Sequence, residues 1–237
     1  MPNSYFQFKQ FTIEQHHAAM KVGTDGVLLG AWANVENVKS ILDIGTGTGL
    51  IALMLAQRSI AQIDAIDIDE KAISDAKFNF SQSPWNDRLA LFHSSLQNFA
   101  ETTPKRYNLI VSNPPYFKHN RQTGNHARTV ARQHETLNFR ELLLGVSKLL
   151  RSEGHFAVVL PFEAENQFRI EALKHRLFTT RAIRLKPNHN KPFKRVLLQF
   201  QHQEDKLIEE ELTIETNTRH VYTPEFSQLV RDFYLAL

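Results

Sequence analysis

The chain has 237 residues, 42% of them hydrophobic and 22% charged, which is the composition of a globular protein and not of a disordered or fibrous one. Its 28 Lys+Arg against 25 Asp+Glu leave a formal net charge of only +3, yet the pI of about 9.1 and the 11 histidines tilt it basic. The absence of cysteine excludes disulfides, thiolate zinc sites and cysteine nucleophiles, and it suits a reducing, cytoplasmic setting. The opening MPNSYFQFKQ carries no basic-then-apolar signal pattern, and the longest apolar stretch, GLIALMLA at 49–56, is far short of a membrane span, so secretion and membrane functions are not expected.

In chain order, short apolar runs alternate with helical patterns. SILDI (40–44) precedes a helical LIALMLAQR (50–58), and QIDAID (62–67) precedes EKAISDAKFNF (70–80). LALFH (89–93) and YNLIVS (107–112) follow, then NFRELLLGVSKLL (138–150), which opens with a capping box of Asn138 and Glu141. HFAVVL (155–160) leads to a helix over about 162–175. FTTRAIRL (178–185) and RVLLQF (195–200), joined by a short connection with Pro187 and Pro192, are expected to form an antiparallel hairpin. The tail TPEFSQLVRDFYL reads as a closing helix with Thr223 as N-cap and Pro224 at its first position. Several of the runs are apolar on both faces, as in parallel strands covered on each side, so the expected fold is a doubly wound α/β sheet of seven strands, mostly parallel. No repeat or linker divides the chain, and residues 1–237 are expected to form one domain.

Charge is segregated along the sequence. Residues 116–140 hold Lys118, Arg121, Arg128, Arg132 and Arg140 against Glu135 alone. Residues 172–196 hold Lys174, Arg176, Arg181, Arg184, Lys186, Lys191, Lys194 and Arg195 with no acid, whereas 203–215 hold six acids opposed only by Lys206. Taken alone such runs read first as solvated loop faces; the segregation also suits a side that faces a polyanion.

DIGTGTG (43–49) follows the first of these strands and opens a helix, the setting in which a glycine loop wraps a nucleotide. A dinucleotide fingerprint would need glycine at position 50, where this chain has Leu50. Asp43 would repel a pyrophosphate but attract an ammonium or sulfonium, and S-adenosylmethionine carries both. Gly45, Gly47 and Gly49 let the backbone approach a ligand. Asp67 closes the next strand, about twenty residues on, where a carboxylate accepts hydrogen bonds from ribose hydroxyls. Ile68 is placed to pack on the adenine ring, while Asp69 and Glu70 suit the start of a helix.

SNPPYF (112–117) follows the fourth strand, at the edge where doubly wound sheets bind ligands. Two prolines hold Asn113 extended and remove backbone donors, leaving acceptors that suit a substrate with an amino group. The Asn113 side-chain carbonyl and the Pro114 backbone carbonyl can accept both hydrogens of a planar amine, and Tyr116 can stack on a flat heterocycle. Asn113, Pro114 and Tyr116 are therefore the candidate catalytic residues.

DIGTGTG, AID and NPPY in this order resemble the class I amino-methyltransferases, S-adenosylmethionine-dependent enzymes with a Rossmann-like sheet. Within them the chain is similar to the bacterial valine-tRNA (adenine-37-N6)-methyltransferases over nearly its whole length, including FKQFTIEQHHAAMKVGTDGVLLGAW (8–32), HARTVARQHETL (126–137) and KPFKRVLLQF (191–200). The resemblance implies an N-terminal segment, residues 1–35, over the cofactor pocket, with Lys21, Thr24 and Asp25 near the methionine end. Relatives bind the adenine amino group through an acid after the third strand; here that position is Ser95, a departure from the pattern.

The resemblance implies methylation of the exocyclic N6 amine of adenine 37 in a tRNA anticodon loop; the basic segments 116–140 and 172–196 flank the proposed site in sequence, and Lys118, Arg121, Arg128, Arg132, Lys194 and Arg195 are expected to grip phosphates. A glutamine-amide methyltransferase acting on protein, an rRNA base methyltransferase, and a non-catalytic nucleic-acid-binding module are the competing readings. No metal is expected, because the histidines show no ligand spacing and the sulfonium is already activated.

Overall fold

The computed structural model describes residues 3–18, 20–115 and 138–236. A small antiparallel hairpin, β1 (Tyr5–Gln7) and β2 (Thr12–Glu14), comes first, followed by helix α1 (Thr24–Trp32). The alternating unit then runs β3 (Ser40–Ile44), α2 (Leu50–Arg58), β4 (Gln62–Asp67), α3 (Glu70–Gln82), β5 (Leu89–His93), α4 (Leu96–Thr102) and β6 (Tyr107–Ser112). After residue 137 come α5 (Phe139–Leu149), β7 (Leu150–Pro161), α6 (Glu165–Lys174), β8 (Phe178–Asn188), β9 (Arg195–Gln201), β10 (Ile208–Glu215) and α7 (Pro224–Val230).

The main sheet has the order β10-β8-β9-β7-β6-β3-β4-β5. The seven expected strands are all present, and β8 and β9 form the expected antiparallel hairpin. An eighth strand, β10, extends the edge parallel to β8. The chain lays β3, β4 and β5 outward in one direction and returns to place β6 and β7 on the other side of β3. The crevice between the carboxyl ends of β3 and β6 is thus the switch point at which open α/β sheets bind ligands.

Side chains alternate across the sheet. Ile41 of β3 and Leu109 and Val111 of β6 join one core with α1, α2 and α7; Leu42, Ile44 and Ile110 join the other with α4, α5 and α6. Burial on both faces explains why these strands read as continuous apolar runs. The capping box of α5 is formed, with Glu141 N–H donating to Asn138 Oδ1 at 2.9 Å and Asn138 N–H to Glu141 Oε2 at 3.4 Å. Thr223 Oγ1 accepts from Phe226 N–H at 3.2 Å at the start of α7.

Candidate active site at the carboxyl ends of β3, β4 and β6

The glycine loop is bent back on β4. The N–H groups of Gly45 and Thr46 both donate to the Ile66 carbonyl, at 2.9 and 3.0 Å. Gly45, Gly47 and Gly49 have φ of 70°, 58° and 84°, the left-handed region that glycine enters without strain. A Cβ at Gly45 or Gly47 would meet nothing within 4 Å, so these two face open space. A Cβ at Gly49 would stand 2.5 Å from Phe80 Cε1, so Gly49 serves the packing of α2 on α3.

Asp43 is fully buried at the floor of this loop. Thr46 Oγ1 donates to its Oδ2 at 2.7 Å, and its Oδ1 has no hydrogen-bond partner among the described residues. Burial pushes the carboxyl up to about 7, aided by the nearby charge of Asp67 and opposed by the Thr46 hydroxyl and the Ala52 N–H. A buried acceptor without a donor is costly, and a cationic group placed against it relieves that cost. The open glycine faces and the orphaned Asp43 oxygen fit the charged end of S-adenosylmethionine.

Asp67 holds the loop from the end of β4. Its Oδ2 accepts from Gly47 N–H at 2.8 Å and its Oδ1 from Asp69 N–H at 2.9 Å, so it braces the loop. A carboxylate has about four acceptor sites, which leaves room for ribose hydroxyls as well. Ile68 beside it is 53% exposed, an apolar face left in solvent at the position proposed for the adenine ring. Asp69 caps α3 by accepting from Lys71 N–H at 2.9 Å, as its position implies. Ser95 is the N-cap of α4, its hydroxyl accepting from Asn98 N–H at 3.2 Å, so the residue at the position of the relatives' acid caps a helix.

Asn113 stands directly after β6. Ser112 Oγ donates to the Ile44 carbonyl at 2.9 Å, which ties the ends of β3 and β6 together beneath the crevice. Asn113 is half-buried, Pro114 buried and Pro115 exposed. The first turn of α1 lies against this residue: a Cβ on Gly26 would be 3.9 Å from Asn113 Nδ2 and 3.1 Å from Leu50 Cδ2. Tyr116, Lys118, Arg121, Arg128 and Arg132 lie outside the described residues.

The N-terminal segment is fastened to α3 by two buried polar residues that sequence reasoning missed. Asn79 Oδ1 accepts from Glu14 N–H at 2.8 Å, and its Nδ2 donates to Glu14 O at 2.8 Å and to Thr48 O at 2.9 Å, joining β2 to the glycine loop. Asp75 accepts from the N–H groups of His17 and Ala18 at 2.9 and 2.8 Å and contacts His17 Nδ1 at 2.8 Å. Burial opposes ionisation of Asp75, but the Ala18 N–H and the His17 donors outweigh it and hold the carboxyl below the usual range. The signal was available: Ala72, Asp75, Ala76, Asn79 and Phe80 form the buried stripe of α3, with two polar residues inside it. Lys21 Nζ is turned onto the Gln15 carbonyl, Thr24 is exposed at the start of α1, and Asp25 pairs with Arg195.

The basic run 172–196 does not form a uniform cationic face. β10 lies parallel to β8 in a register that sets Glu209, Glu210 and Glu211 beside Ala182, Ile183 and Arg184. Arg184 donates to Glu165 Oε2 and Oε1 at 2.9 and 2.7 Å and to Glu209 Oε1 at 2.7 Å. Lys186 pairs with Glu211 at 3.0 Å, Arg181 with Glu210 at 3.6 Å, Lys174 with Glu171 at 2.6 Å and Arg195 with Asp25 at 2.7 Å. The acidic stretch thus neutralises Arg181, Arg184 and Lys186 of the basic run across an edge of the sheet. Among the described residues, Arg176, Lys191 and Lys194 of this run make no ion pair, and Lys191 and Lys194 are exposed in the turn before β9, at the carboxyl end of β7.

Among the described residues no group of three His, Asp or Glu side chains could hold a metal ion, and no helix is long and apolar enough to cross a membrane.

Comparison with known proteins places this geometry. The family described as "Methyltransferase small domain" matches residues 17–186. A Christiangramia forsetii protein named tRNA1(Val) (adenine(37)-N6)-methyltransferase is 48% identical over 241 residues, covering 100% of both chains. Among solved structures, a predicted O-methyltransferase from Agrobacterium tumefaciens superposes with a TM-score of 0.71 at 16% identity, over 88% of this chain and 96% of that one. The glycopeptide N-methyltransferase MtfA, solved with S-adenosyl-L-methionine, superposes with a TM-score of 0.57 at 13% identity, over 78% of this chain and 90% of that one. At these identities the two structures speak to the fold.

Proposed function

From the premise that this chain belongs to the tRNA1(Val) (adenine(37)-N6)-methyltransferase family, we propose that it methylates the N6 amine of adenine 37 in the anticodon loop of a valine tRNA. The enzyme is a methyltransferase and its cofactor is S-adenosylmethionine. The observation that carries the reading is the placement of Asn113 and Pro114 at the switch point, beside a glycine loop whose buried Asp43 keeps an unpartnered oxygen.

The chain's own residues perform positioning. Asp43 and the Gly45 and Gly47 backbone hold the cofactor's charged end, Asp67 the ribose, and Ile68 one face of the adenine. Bound S-adenosylmethionine supplies a methyl group already activated by the sulfonium, which leaves alignment and exclusion of water as the protein's task. Asn113 Oδ1 and Pro114 C=O accept the two hydrogens of the target amine, which draws the nitrogen lone pair out of conjugation and fixes its direction. Tyr116 is assigned to stack on the target base. We read the chain as one domain in which residues 1–35 cover the cofactor site, with Lys21 and Thr24 at its rim and Ser95 at the adenine end. No metal and no membrane enter this scheme, and we assign the protein to the cytoplasm.

Replacing Asp67 by Ala should weaken cofactor binding by about 1–3 kcal/mol, since a charge-assisted acceptor and a loop brace are both removed. Calorimetry reads this directly, and unchanged affinity would exclude Asp67 from the ribose site.

The RNA side is assigned to Lys194 and its neighbour Lys191 together with Lys118, Arg121, Arg128 and Arg132. Affinity for tRNA should fall steeply with salt, with log K dropping by roughly 0.7–0.9 per neutralised phosphate for each decade of salt. Lys191→Glu/Lys194→Glu should weaken tRNA binding and leave cofactor affinity unchanged in filter-binding and calorimetric assays. A salt-independent affinity would point to a protein substrate.

The function itself is tested by methyl incorporation from labelled cofactor into bulk tRNA, rRNA and protein in separate reactions. Incorporation confined to tRNA is expected; labelling of glutamine in protein or of rRNA would replace this reading.

A further inference from the structure

Arg195 and Asp25 lie 170 positions apart in the chain, yet Arg195 Nε donates to Asp25 Oδ2 at 2.7 Å. Each sits at a telling place. Arg195 opens β9 opposite Pro161, at the carboxyl end of β7, and β7 in turn pairs with β6, the strand directly before Asn113. Asp25 is in the first turn of α1, one residue before Gly26, whose Cβ position is 3.9 Å from Asn113 Nδ2. The two side chains are 35% and 26% exposed, so the pair adds little to folding stability. What it does is join the first turn of α1, which lies against Asn113, to the start of β9, just after the turn that carries the exposed Lys191 and Lys194.

We propose that Asp25 and Arg195 are a positioning pair that sets the first turn of α1 against Asn113 and so orients the acceptor for the target amine. The inference rests on the reading of Asn113 given above. It reassigns both residues: Asp25 acts on the acceptor side and not on the cofactor, and Arg195 acts through α1 and not as a phosphate contact. A carboxylate in the first turn of a helix is also favourable on its own, so α1 stays helical when Arg195 is replaced and only its setting against Asn113 relaxes, without loss of the fold.

The test is a double-mutant cycle on the full chain with Asp25→Asn, Arg195→Gln and the two combined, measuring single-turnover rate at saturating cofactor and tRNA, both dissociation constants and Tm. Each single change is expected to lower the rate by about 10-fold or more, as small misplacements at a reacting centre do, with cofactor affinity and Tm nearly unchanged. The double variant is expected to be no slower than the slower single, because each single change already removes the contact between Arg195 and Asp25. Rate losses that multiply in the double variant would overturn the pairing. So would an Arg195→Gln variant with a normal rate and only weaker tRNA binding, which would return Arg195 to the phosphate contacts. Asn113→Ala is assayed in parallel: normal turnover there would bring down the reading of the acceptor site, whereas a slow Asn113→Ala beside normal Asp25 and Arg195 variants would bring down the pair alone.

Discussion

Asp43→Asn should make the protein more stable and a poorer enzyme at the same time. The carboxyl titrates near 7 in the folded protein against 3.8 in the unfolded chain, because burial penalises its charge. Between those values the folded state holds a proton that the unfolded state has lost. The favourable contribution of Asp43 is therefore present at low pH and disappears as pH rises through 7. Asparagine keeps an acceptor for the Thr46 hydroxyl and carries no charge to desolvate. The variant should gain stability over the parent from about pH 4 upward, reaching at most about 4 kcal/mol above pH 7 at 1.36 kcal/mol per unit. Affinity for S-adenosylmethionine should move the other way, by about 3–5 kcal/mol, since one partner of a buried charge pair is gone. For the parent, cofactor affinity should rise between pH 6 and 8 as Asp43 ionises. Thermal unfolding and calorimetry at several pH values read both effects. An Asp43→Asn variant that binds the cofactor normally would remove Asp43 from the site.

Asn113→Ala should lower the single-turnover rate by roughly 100-fold or more, about 3 kcal/mol in the barrier, the scale on which a preoriented polar group at a reacting centre acts. Affinity for cofactor and tRNA should change far less, because the hydrogen bonds to the amine matter most where its lone pair is being redirected. Tyr116→Ala should instead cost roughly 1–3 kcal/mol in substrate positioning, while Tyr116→Phe, which keeps the ring, should be tolerated.

The parts of the fold that were legible in the sequence are those fixed by local pattern. Strands buried on both faces read as apolar runs, the capping box marked the start of α5, and Thr223-Pro224 marked that of α7. Asp43, Asp67 and Asn113 were legible because chemistry restricts what can stand at the ends of three neighbouring strands. α1 was not, since Gly26 to Trp32 are all buried and leave no polar face to give a helical period. β10 was hidden for a different reason. Its run of three glutamates looks like a solvated loop until the pairing with β8, some 27 positions upstream, supplies Arg181, Arg184 and Lys186 as partners. Long-range pairing of opposite charges likewise turned an expected polyanion face into an edge ladder and gave Arg195 to Asp25. A charge count along the chain cannot see such partners.

The most direct measurement is single-turnover methylation of a valine anticodon stem-loop carrying adenine at position 37, compared with the same stem-loop carrying inosine there. Methyl transfer to the adenine loop alone is expected, with the label recovered as N6-methyladenosine. Equal labelling of the inosine loop, which lacks the exocyclic amine, would contradict the assignment of that amine as the acceptor.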